Sequence, residues 1–306
     1  MDISTGIGKL KLKNPTLLAS GILGVSRASL KNAIANGAGG CVIKSISLEE
    51  RPGHNAPNII AFEGGLMNAV GYSNPGVEEA KKEFIDLKSL GAPIVASIIG
   101  KDTDEFAEMA AKLLPGEFSA VEAVLSCPHT PGYGTMAGQN TPENTESITK
   151  AIRKKTDLPL FIKISPDSQP IGEVAKAAEA GGADAIVAVN TMGPGMAIDI
   201  ETGEPILDFK IGGVSGPALH PIAVRCIYDI RKSCRLPIIG VGGVTFGKDA
   251  VEMMMAGASA VEIGSGIYYR EISIFKKVCE EIKDFLKGKN FSSLQDIIGL
   301  THKIEK

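Results

Sequence analysis

Along the chain, short apolar runs rich in β-branched residues alternate with longer stretches in which apolar residues recur every three to four positions. The short runs predict strands at 15–19 (PTLLA), 41–45 (CVIKS), 93–98 (PIVASI), 120–126 (AVEAVLS), 159–164 (PLFIKI), 184–189 (DAIVAV), 237–241 (PIIGV) and 259–263 (SAVEI). The amphipathic stretches predict helices at 27–36, 77–89, 103–114, 142–156, 171–181, 219–234, 247–256 and 272–287. Thr141-Pro142-Glu143-Asn144 reads as a helix start and Gly257 as a helix stop. The strands are nearly continuous apolar runs, as strands buried on both faces should be. Eight strand–helix units in succession predict the α/β class and a (β/α)8 TIM barrel. An open doubly wound sheet is the competing architecture, and no G-x-G-x-x-G follows the first strand to favour it.

Three connections are too long for simple turns: 46–76, 127–141 and 190–218. Each follows the C-terminal end of a predicted strand, the face on which barrels carry their sites. With no linker, repeat or low-complexity segment, residues 1–306 read as a single domain with insertions at that face.

Composition narrows the classes. Hydrophobic residues make up 44% of the 306, enough for a large core. The net charge of −3 shows no basic face for nucleic acid or an anionic membrane. No apolar run approaches the roughly 20 residues a membrane helix needs, and MDISTGIGKLKLKN is not read as a signal peptide, so a cytoplasmic protein is expected. The five cysteines, Cys41, Cys127, Cys226, Cys234 and Cys279, form no C-x-x-C pair, which argues against a disulfide framework and against a zinc or iron–sulfur site.

Candidate chemistry gathers at the predicted strand ends: Ala19-Ser20-Gly21, Lys44-Ser45, Ser97, Ser126-Cys127, Lys163, Asn190-Thr191, Gly242-Gly243 and Gly264-Ser265. On a barrel these converge on one mouth. Glycines after the last two strands match a barrel's usual phosphate site, where bare backbone amides face phosphate oxygens. Lys163, inside "FIKISP", is an inward ammonium in apolar surroundings and needs an anionic partner; the N1–C2=O edge of a reduced flavin would supply one. A free cysteine is most often a small buried hydrophobe. Cys127, however, leaves the core and precedes Pro128, and a thiol whose pKa of about 8.5 is shifted downward serves as a general base.

Nearly the whole chain resembles the dihydroorotate dehydrogenases. The stretches that carry the resemblance are "KNPTLLASG", "VIKSISLEER", "GLMNAVGYSNPG", "LSCPH", "GQNTPE", "FIKISP", "VNT", "GGVSGPA", "LPIIGVGGV" and "MMAGASAVEIGSG". "GLMNAVGYSNPG" resembles the NAD-linked class 1B more than the fumarate-using class 1A, and Cys127 stands where the membrane-bound class has Ser. The resemblance implies an FMN-dependent oxidation of dihydroorotate to orotate, with Cys127 taking a proton and Lys163 facing the flavin. It implies Lys44, Asn68, Asn190 and Thr191 at the substrate. It places Ala19, Ser20, Gly21, Lys44, Ser45, Lys163 and Val189 along the flavin, with Ser215, Gly216, Gly242, Gly243, Gly264 and Ser265 toward its phosphate. It also implies a homodimer and a second, electron-transferring subunit that carries FAD and a 2Fe–2S cluster. The sequence departs from the family where Asn-x-Ser-Cys-Pro-Asn becomes Val124-x-Ser126-Cys127-Pro128-His129, and where an Asn after the third strand becomes Ser97. An FMN enzyme acting on another dihydropyrimidine or enone, as in dihydropyrimidine dehydrogenases, and a flavin-binding protein without this chemistry are the alternatives.

Overall fold

A computed structural model describes residues 1–112, 117–125, 141–168 and 170–304. Eight parallel strands close into a barrel. In chain order they are Thr16–Leu18, Gly40–Val42, Ile94–Ile98, Ala120–Val124, Leu160–Ile164, Ala185–Ala188, Ile238–Val241 and Ala260–Ile263, and the eighth pairs with the first. Each overlaps a predicted apolar run, the second covering only 41–42 of the predicted 41–45. Eight of the helices match the predicted stretches: Arg27–Ala35, Val77–Glu83, Thr103–Lys112, Pro142–Arg153, Ile171–Ala180, His220–Ser233, Gly247–Ala256 and Ile274–Gly288. The stretch predicted as one helix over 77–89 instead breaks after Glu83, because Asp86 turns left-handed before a short 3-10 turn. The Thr141 hydroxyl caps its helix by accepting from the Asn144 amide, as expected. Gly257, at φ +131°, ends another by donating to the carbonyls of Met253 and Met254.

Alternation along the strands sorts their side chains into two cores. Outward residues such as Leu18, Ile94, Ile98, Ile162, Ile186 and Val261 pack under the helices. Inward residues Leu17, Val42, Val95, Ala120, Phe161, Val187, Ile239 and Ala260 fill the N-terminal half of the barrel. A hairpin of Thr5–Ile7 and Leu10–Leu12, unpredicted by the sequence pattern, inserts Ile7, Leu10 and Leu12 into the same cluster and closes that end.

At the opposite end, two of the long connections build one structure. Ile59–Phe62 and Gly65–Asn68 from the first pair with Gly212–Ser215 and Met192–Gly195 from the third, giving a four-stranded antiparallel sheet. One face carries Met67, Ala69 and Leu207, buried against Ile60, Phe209 and Val214. The other presents Leu66, Asn68 and Ser215 to the barrel mouth. The register places Leu66 opposite Ser215. No side chain fits at Gly65, since a Cβ there would run into the Ser215 carbonyl oxygen.

Gly65→Ala is therefore expected to force the two insertions apart while the barrel stays closed. Overpacking of this kind costs about 1–3 kcal/mol. Limited proteolysis should show faster cleavage within 46–76 and 190–218, with thermal unfolding shifted down; unchanged cleavage and melting would refute the close approach.

Candidate active site

Two residues along a strand span about 6.6 Å, so inward positions form storeys above the apolar plug. On the fourth strand Ala120 belongs to the plug, Glu122 to the next storey and Val124 to the mouth. The eighth strand repeats this with Ala260, Glu262 and Gly264, and the third places Ser97 above Val95. On the fifth, Lys163 stands two residues beyond Phe161 and reaches both the middle storey and the cleft.

The middle storey is polar and buried. Lys163, 4% exposed, lies 3.0 Å from Glu262 Oε2 and 3.6 Å from Glu122 Oε1. Burial alone would lower the Lys163 pKa, but the two carboxylates outweigh it and raise it above the ordinary lysine value. Burial first, and Glu122 beside it, push Glu262 up to about 8 against the pull of Lys163. Sequence reasoning expected a ligand to supply the anion for Lys163; the protein supplies two. Glu122 and Glu262 were overlooked, although each is a lone carboxylate within an apolar strand run, at an inward position. Ser97, compared in the sequence with an amide that touches ligand, is fully buried and donates to Glu122 Oε1 at 3.2 Å.

Above this storey opens a cleft roofed by the four-stranded sheet. Its walls include Ala19, Ser20, Gly21, Lys44, Ser45, Lys163 and Val189, with Asn68, Asn190, Thr191, Ser215, Gly242, Gly264 and Ser265. The structure thus brings together nearly all the residues singled out in the sequence. Gly216 and Gly243 are exceptions: they pack against each other behind the wall, where a Cβ on Gly243 would meet the Gly216 carbonyl at 2.5 Å. Cys127 and His129 lie outside the described residues. Val124 lines the cleft, in register with Lys163. Tyr72, not singled out in the sequence, also lines it and lies under the Lys44 ammonium, 5.9 Å from ring centroid to Nζ.

Lys44 makes no ion pair among the described residues, and burial lowers its pKa below the ordinary lysine value. A desolvated ammonium on a cleft wall is set to receive an anion. Glycines open room at the neighbouring strand ends. Gly21, at φ +103°, has nothing within 4 Å of a built Cβ, and Gly264 has only the Ala19 methyl, at 3.5 Å. A broad cleft with small residues along two strand ends, a cation at its floor and another at its wall fits a planar, phosphorylated cofactor beside a small anionic substrate. Burial pushes the Cys41 thiol up to about 12 and those of Cys226 and Cys234 up to about 11, so these three are not bases at neutral pH. Among the described residues, no cluster of His, Cys, Asp and Glu could hold a metal ion, and no helix is long and apolar enough to cross a membrane.

Comparison with known proteins gives one consistent result. The family model for dihydroorotate dehydrogenase matches residues 3–286. The chain is 45% identical over 305 residues to a Methanocaldococcus jannaschii protein named dihydroorotate dehydrogenase B (NAD(+)), catalytic subunit, covering 98% of each chain. A Methanocella arvoryzae protein of the same name is 46% identical over 306 residues, covering 100% of both chains. Another from Pyrococcus horikoshii is 44% identical over 295 residues, covering 96% of each.

The middle storey makes Lys163 indispensable in a pH-dependent way. Lys163→Met leaves two carboxyls buried without a cation, and breaking a buried pair in this way costs about 3–5 kcal/mol. Glu262, already pushed up by burial and by Glu122, then loses the pull of Lys163 and holds its proton still further above the ordinary value of 4.5, in the folded state only. The folded state binds more protons than the unfolded one over that window, so stability falls as pH rises. Denaturant titrations should show a larger loss at pH 9 than at pH 6; equal losses would contradict the assignment.

Proposed function

The chain belongs to the dihydroorotate dehydrogenase family, and on that premise we propose that it oxidises dihydroorotate to orotate for pyrimidine biosynthesis, as the FMN-binding catalytic subunit of an NAD-linked enzyme. One observation carries the reading. Lys44, Asn68, Lys163, Asn190 and Thr191, far apart in sequence, meet in a single cleft beside glycines with no room-filling side chain.

The roles follow from position and chemistry. Lys44 is the cation for the substrate carboxylate. Asn68 reaches down from the roof, while Asn190 and Thr191 leave the sixth strand; their amide and hydroxyl groups hold the pyrimidine ring by its polar edges. Ala19, Ser20, Gly21, Ser45 and Val189 would hold the flavin, and Lys163, which lines the same cleft, would supply a positive charge toward its N1 edge. Ser215, Gly242, Gly264 and Ser265 line the phosphate end, with Gly216 and Gly243 shaping the backbone behind it. When bound, FMN supplies the acceptor for the hydride. Cys127 as a thiolate takes the proton from the neighbouring carbon. A homodimer and a partner subunit carrying FAD and a 2Fe–2S cluster complete the proposed enzyme, and the relatives' designation as catalytic subunits supports a separate electron-transfer chain.

Two experiments test this. Heat-released cofactor from the purified protein should be FMN, and anaerobic dihydroorotate should bleach it; a flavin that dihydroorotate cannot bleach would defeat the substrate assignment. Cys127→Ser should keep FMN yet slow that bleaching about 10²–10⁴-fold at neutral pH, the usual cost of losing a general base, with partial recovery as pH rises. Bleaching at nearly the native rate would remove Cys127 from the mechanism.

Val124 gives a separate check, because it lines the cleft where the family has an amide. Val124→Asn should change orotate affinity measurably in isothermal titration; an unchanged affinity would mean that substrate does not reach this wall.

A further inference from the structure

The storey beneath the cleft is one connected chain of hydrogen bonds and ion pairs. Ser97 Oγ donates to Glu122 Oε1 at 3.2 Å. Its single proton is thereby committed, so it accepts from Ser45 Oγ at 2.9 Å, and Ser45 accepts in turn from Ser20 Oγ at 3.1 Å. Ser20 and Ser45 line the cleft, whereas Ser97 and Glu122 are fully buried. At the far end Lys163 bridges Glu122 and Glu262. Glu122 Oε2 and Glu262 Oε1 are buried with no hydrogen-bond partner among the described residues.

Charge counting makes these two oxygens informative. The eight strands point three titratable side chains inward, Glu122, Lys163 and Glu262, and Lys44, two residues beyond the second strand, stands at the cleft wall. The first, third, sixth and seventh strands carry none, and Cys41 of the second faces outward. Two ionised carboxylates against one ammonium would leave a surplus negative charge in a buried layer, an expensive arrangement. A single proton on the pair brings the layer to neutrality. The upward displacement of Glu262 to about 8 agrees with this.

We propose that Glu122 and Glu262 share one proton, exchanged with the cleft through Ser97, Ser45 and Ser20, and that this proton sets the charge that the layer presents, through Lys163, to an anionic ring bound above it. Below its titration the layer is neutral; above it the layer is negative and repels an anion. The second half of the proposal rests on the reading that FMN occupies the cleft, while the first half does not. Glu122 and Glu262 are positioning residues in this scheme and act through Lys163.

The protein without flavin tests the first half. Infrared titration should show the carbonyl stretch of a protonated carboxylic acid, sensitive to D2O and lost as pH rises through about 8. Glu262→Gln should abolish the band, since Lys163 then faces Glu122 alone. Ser97→Ala should keep the band to higher pH, because a hydrogen bond to the ionised form is gone; this variant also serves if Glu262→Gln fails to fold. A band absent at pH 6, or retained unaltered in both variants, overturns the shared proton. The FMN-loaded protein tests the second half. Its midpoint potential should fall more steeply with pH above about 8, and Glu262→Gln should remove that break. A band with no break in potential overturns the coupling to the cleft. A protein that shows the band but takes up no flavin defeats the reading of the cleft and leaves the shared proton standing.

Discussion

A closed barrel has one interior, and each strand can offer it only every second residue. That constraint organises the whole molecule. Alternation sends Leu18, Ile162 and Val261 out under the helices, and Leu17, Phe161 and Ala260 in to the plug. The next inward step on the fourth, fifth and eighth strands brings Glu122, Lys163 and Glu262 face to face. One step further lies the cleft. A shift of one residue in any of these strands would turn a charge into the helix layer and an apolar side chain into the site.

Burying an ammonium between two carboxylates is poor economy for stability alone, since hydrophobic replacement of such groups is often neutral or favourable. The arrangement makes sense as support for the cleft. Lys163 is held from beneath, so its ammonium has one place to be. The roof is built by the same logic of mutual support. Neither of the two insertions that form it buries enough on its own; paired through Gly65–Asn68 and Gly212–Ser215 they share the small core of Met67, Ala69 and Leu207.

The departures from the family pattern occupy different storeys. Val124 is on the cleft wall, where an apolar side chain replaces an amide beside Lys163. Ser97 is one storey lower, and its hydroxyl joins Ser45 to Glu122. The first alters what a ligand meets; the second alters what lies beneath it.

The strand–helix alternation, both cited caps and most of the cleft residues were legible because each rests on local periodicity or on a strand end, and strand ends of a barrel must converge. Lys163 was legible as an inward charge for the same reason. Its partners were not, because Glu122 and Glu262 come from strands 41 and 99 residues away in sequence; Glu122 meets it through pairing of the fourth and fifth strands, and Glu262 only on closure of the barrel. The pairing of 46–76 with 190–218 was likewise invisible, since antiparallel register between distant insertions leaves no periodic mark in either. The close approach of the Gly216 and Gly243 backbones was also beyond local pattern, since these glycines come from different strand ends. By itself, then, the sequence determined the barrel, its mouth and the residue types gathered there, through the spacing of apolar positions. Tertiary structure alone decided which charges neighbour one another and which face the cleft, because those depend on closure of the barrel, which no local pattern records.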